Sequence, residues 1–93
     1  MKNQIFKDVA NEVEAKAVAV RFCKDDLLSN YTIYSKVIKD VYSEVHDYLY
    51  TLHEAGIKFT ARQATKIKFD LDYINDTYAY VCQLEEAVKE GKF

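Results

Sequence analysis

The chain contains no proline, and its only glycines are Gly56 and Gly91. These two residue types supply most of the helix breaks, tight hairpins and left-handed turns of folded chains. A sequence almost without them must run in long regular elements or remain unfolded. It has the material to fold: hydrophobic residues make up 49% and charged residues 30%, far from the apolar-poor, charge-rich signature of disorder. Long helices in an all-α domain spanning 1-93 are therefore expected, broken at Asp25-Asp26 through Asn30 and around Gly56.

The middle segment, about Tyr31 to Ala55, sets Tyr34, Ile38, Val41, Val45, Tyr48, Leu52 and Ala55 at alternating steps of four and three, the spacing of a helix seam. Ser29 or Asn30 is placed to accept from its first free amides, and Gly56 to close its last turn. The last segment, about Ala61 to Glu90, repeats the spacing through Ala64, Ile67, Leu71, Ile74, Tyr78, Val81 and Val88, with Glu85 as the misfit. Lys68, Asp72, Asn75, Ala79, Gln83 and Glu86 read as its solvated face. Thr60-x-x-Gln63 has the form of a capping box, with Phe59 before it able to staple onto Ala64. The alternative is α+β with a C-terminal β-meander, because Lys66 to Tyr73 alternates charged and apolar residues and Asn75-Asp76 suits a turn. Helix is preferred, since a meander would normally want a glycine and the four-three spacing holds both inside and beyond that stretch.

The first segment, about Asn3 to Leu28, has one apolar stripe through Phe6, Val9, Ala10, Val13, Ala17, Val20 and Leu27, and a second through Ala15, Val18, Ala19 and Phe22. A helix apolar on two sides needs cover on both. The expected architecture is a three-helix bundle, or a long antiparallel helical hairpin plus an N-terminal helix, with oligomer formation supplying the second cover. A monomeric bundle with the first helix at its centre is the plainer alternative.

The net charge of −2 gives no general attraction to nucleic acid or anionic membrane, so extended nucleic acid is not an expected partner. The longest apolar run, Ala17 to Val20, is too short to span a bilayer, and the mixed N-terminus lacks a secretory core, so a cytoplasmic location is expected. Cys23 and Cys82 have no metal or redox spacing and read as small buried hydrophobes. No cofactor is expected.

Three features bear on function. Tyr42, His46, Tyr50 and His53 form a stripe beside the middle seam; it suits a solvated rim or, as the functional reading, a protein interface. The histidines, seven residues apart, are too distant to share one metal ion. Phe22, Tyr73 and Tyr80 join them as interface candidates, tyrosine offering contact area at low conformational cost. Lys58, Arg62 and Lys66 recur at steps of four around the start of the last helix, where free amides already favour an anion. With Thr60 and Thr65 as donors, this cluster could hold a phosphate or nucleotide; its ordinary reading is a basic rim pairing with acids of a neighbouring helix or subunit. Carboxylates come as isolated pairs on helix faces, and no nucleophile or phosphate-loop motif is present. The leading expectation is a non-enzymatic homo-oligomeric adaptor or inhibitor acting through protein-protein contacts, with a small anionic ligand binder as the second. The composition, rich in lysine, tyrosine, aspartate and isoleucine, resembles that of small proteins from AT-rich phage or bacterial genomes and assigns no site.

Overall fold

The computed structural model describes residues 2–91, and side chains from Gln4 to Gly91; the single-domain expectation over 1–93 extends past both ends of that range. Three helices make up the fold: α1 Lys2–Asp25, α2 Tyr31–Glu54 and α3 Ala61–Lys89. A short 3-10 turn, Leu27–Ser29, joins the first two. The described chain is 89% helical, without strands. It forms an up-down-up three-helix bundle of 51 × 22 × 19 Å, in which α1 and α3 run parallel and α2 antiparallel to both.

Helices α1 and α2 bury the sides their spacing dictates. From α1, Val9, Ala10, Val13, Ala17 and Val20 are buried, and Leu27 closes the end of the core from the turn. From α2 come Ile38, Val41 and Val45, and from α3 Ile67, Ile74 and Val81. Cys23 is buried as a small hydrophobe; Cys82 is only half-buried, and both thiols are free.

Residues 66–81 are continuous helix, which excludes the meander alternative. The period-two alternation there is the overlap of two helical lines. Ile67 and Ile74 point inward, while Phe69, two residues after Ile67, stands on the outer side. The inward side of α3 is also turned from the expected seam. Ala64 and Val88 are exposed, whereas Gln63 is half-buried and Thr77 almost fully buried, its hydroxyl donating to the Tyr73 carbonyl at 2.9 Å. The reason is geometric: α3 lies in the groove between two helices, so its buried arc is centred between the side facing α1 and the side facing α2.

The helix ends follow local chemistry. At the end of α2, Gly56 adopts φ 79°, its amide donates to the His53 carbonyl and the Ile57 amide to that of Leu52, a left-handed closure of the last turn. At the start of α3 the capping box is complete, Gln63 N–H donating to Thr60 Oγ1 at 3.2 Å and Thr60 N–H to Gln63 Oε1 at 3.0 Å. The expected staple differs: the Phe59 ring meets the edge of Phe6, centroids 6.2 Å apart, and Ala64 stays in solvent, because α1 offers an aromatic partner that an alanine cannot match. Asn30 is the N-cap residue of α2 but makes no side-chain cap bond.

Candidate functional site

Most of the second apolar stripe of α1 stays in solvent, only Ala19 being half-buried. Val18 is 57% exposed and Phe22 62%, and across the groove from Val18 stands Phe69 of α3, at 77% the most exposed large hydrophobic residue described. Glu14, Ala17, Val18, Arg21, Thr65, Lys66, Phe69 and Asp70 line an open groove of about 470 Å³. It continues past Arg21 and Phe69 into a second, of about 350 Å³, bordered by Tyr73, Asp72 and Asp76. Cations fix the tyrosines along it. The Arg21 guanidinium lies 5.2 Å from the Tyr73 ring centre, and Lys24 Nζ lies 5.6 Å from Tyr73 and 5.8 Å from Tyr80. Phe22 meets the edge of Tyr34 at 6.4 Å while keeping its other side in solvent. Of the expected interface residues, Tyr73 and Tyr80 thus lie on the α1–α3 side, whereas Phe22 leans from α1 toward Tyr34 of α2.

The tyrosine-histidine stripe divides. Tyr42 stacks on Tyr78 with centroids 3.8 Å apart and planes 7° from parallel, and His46 tilts against Tyr42 at 4.4 Å. His46 Nε2 donates to Asn75 Oδ1 at 2.7 Å, which withdraws Asn75 from the solvated face expected for it. These two stripe residues are half-buried members of the α2–α3 seam. Tyr50 and His53, one to two turns further along, are exposed. At the other end of that seam Lys39 Nζ pairs with Glu85 Oε1 at 2.6 Å, which accounts for the single acid on the α3 seam. The hydrogen bond to Glu85 raises the Lys39 pKa above its ordinary range. Nearby, the Tyr31 hydroxyl is buried with no hydrogen-bond partner among the described residues, and burial raises its pKa.

Lys58, Arg62 and Lys66 are exposed around the first turns of α3, but the hydroxyls expected to help them are engaged. Thr60 Oγ1 caps the helix and Thr65 Oγ1 donates to the Ala61 carbonyl at 2.8 Å. Lys66 Nζ sits 5.9 Å from the Phe6 ring centre. A small hollow of about 240 Å³ beside Lys58 is lined by Ile5, Ile57 and Phe59, apolar surface rather than converging donors.

Sequence reasoning missed Phe69 and Arg21 as site residues. Phe69 was legible as an aromatic off the Ile67–Ile74 line; Arg21 became part of a site only through the juxtaposition of α1 and α3. Among the described residues no three His, Cys, Asp or Glu side chains are grouped to hold a metal ion, and no helix is long and apolar enough to cross a membrane. No family model, curated protein or solved structure matches this chain.

Proposed function

We propose that this chain is a non-enzymatic helical binding protein, an adaptor or inhibitor that works through protein-protein contacts made by the α1–α3 face. One observation carries the reading: Val18 and Phe69 stand in solvent across a groove rimmed by charge, and Phe22 is exposed one turn beyond Val18 on α1. Grouped apolar side chains with a polar rim are the anatomy of a contact surface, and exposing three of them costs solubility without adding to the core. The two free thiols suit a reducing compartment, in keeping with action in the cytoplasm.

The test compares the wild type, a Phe22→Ser/Phe69→Ser variant and a Tyr50→Ser control on another side of the bundle. Complexes of the purified chain, with itself or with a defined partner, are measured by light scattering and chemical crosslinking. Loss of those complexes in the double variant alone, at unchanged helical circular dichroism, supports the reading. Complexes that survive in the double variant, or a wild type that forms none, reject it.

A further inference from the structure

The charges around the exposed apolar centre are ordered in a way that names an occupant. Along α3, Arg62, Lys66, Phe69, Tyr73 and Asp76 follow steps of four and three and so share one outer side. Cations precede Phe69, acids follow it, and Arg62 and Asp76 are each seven residues from it. Neither Arg62 nor Asp76 forms a salt bridge among the described residues. On α1 the order is reversed about Val18, with Glu14 before it and Arg21 after it, both on the groove wall and likewise without a salt bridge among the described residues. Because α1 and α3 are parallel, Val18 and Phe69 stand at one level of the groove.

Such a face is complementary to itself about a two-fold axis that crosses the helices. A two-fold axis lying across both helices at the level of Val18 and Phe69 sets α3 on α3 and α1 on α1, each antiparallel. Phe69 then meets Phe69 and Val18 meets Val18. Arg62 of each copy comes opposite Asp76 of the other, and Glu14 opposite Arg21, with every contact made twice as an isologous interface requires. Antiparallel helices also oppose their dipoles favourably. An axis along the helices would instead set α1 on α3 with all the facing helices parallel, their dipoles repelling.

We propose that the occupant of the α1–α3 face is a second copy of this chain, docked antiparallel about Phe69. The proposal rests on the reading of that face as a contact surface and goes further by fixing partner and register. The full chain is examined by sedimentation equilibrium, beside Arg62→Asp, Asp76→Arg and the Arg62→Asp/Asp76→Arg double variant, both substitutions falling at exposed positions that leave the core untouched. Wild type should be dimeric at micromolar concentration. Each single reversal opposes like charges twice per dimer and should weaken association by at least about tenfold, whereas the double variant restores opposite charges and should recover most of it. Recovery is the decisive result, since a parallel or displaced arrangement gives no reason for residues 62 and 76 to compensate. A wild type that stays monomeric at about 100 µM, well above the range of specific protein pairs, overturns the proposal, as does a dimer indifferent to the single reversals. If the wild type is monomeric yet a defined partner is lost in the Phe22→Ser/Phe69→Ser variant, the occupant is wrong and the contact surface stands.

Discussion

Ile74 and Phe69 show how little residue type alone decides. Both are large and apolar and they lie five residues apart on one helix, yet Ile74 is fully buried among α1 and α2 side chains and Phe69 is mostly in water. Ile74→Ala removes three buried carbons and leaves a cavity, so it should lower the unfolding free energy by about 3 kcal/mol, a large part of the 5–15 kcal/mol of a small domain. Phe69→Ala should change the stability of the isolated chain by less than about 0.5 kcal/mol, as for surface positions generally. Urea unfolding at a low, fixed protein concentration checks both. Titration offers a second test at this scale. Burial raises the phenol pKa values of Tyr31 and Tyr48, and the hydrogen bond to Glu85 raises that of the Lys39 ammonium. In each case the folded chain holds its proton more tightly than the unfolded one. Their contribution to stability is therefore complete below about pH 10 and is lost as pH rises through the raised folded values. Unfolding should accelerate above about pH 10, and tyrosinate absorbance should show a late-ionising fraction that normalises on denaturation.

The helix termini are where elements are won or lost, because the bundle has no glycine or proline to break them elsewhere. Thr60→Ala removes the acceptor for the Gln63 amide and should cost about 1 kcal/mol, with fraying confined to the first turn of α3 in hydrogen exchange. Gly56 holds φ 79° with open space around its α-carbon, so the penalty for a side chain there is backbone strain rather than collision. Gly56→Ala should cost about 1 kcal/mol, and Gly56→Asn less, because asparagine tolerates the left-handed region. If the two substitutions are equally harmful in thermal unfolding, strain is not the cause. The capping box and the glycine closure were legible because a few adjacent residues settle them. The Phe59 contact with Phe6 was not, since it joins residues 53 positions apart that only the bundle brings together.

At the scale of the molecule, two apolar stripes on α1 meet only two neighbouring helices, so most of one stripe is left in solvent. If a second copy covers it, folding and association are linked, and the melting temperature must rise with protein concentration. The wild type should show that dependence and Phe69→Asp should not; a wild-type melting temperature that is constant over a hundredfold concentration range would contradict the dimer independently of sedimentation. The elongated shape, with α3 about 43 Å long at 1.5 Å per residue, gives the face the length that a helix-on-helix contact needs.

What the sequence determined by itself was local or periodic. Helix number, near boundaries and the core lines of α1 and α2 follow from apolar spacing and from turn chemistry at Gly56 and Thr60, which act over one or two turns. Tertiary structure alone decided the rotation of α3 in its groove, which set Thr77 inside and Ala64 outside. It also decided the withdrawal of Tyr42 and His46 into the α2–α3 seam and the alignment of Val18 with Phe69. The physical reason is common to all of these: periodicity fixes which residues share a side of a helix, but the angle at which that side meets two neighbours depends on all three helices packing at once.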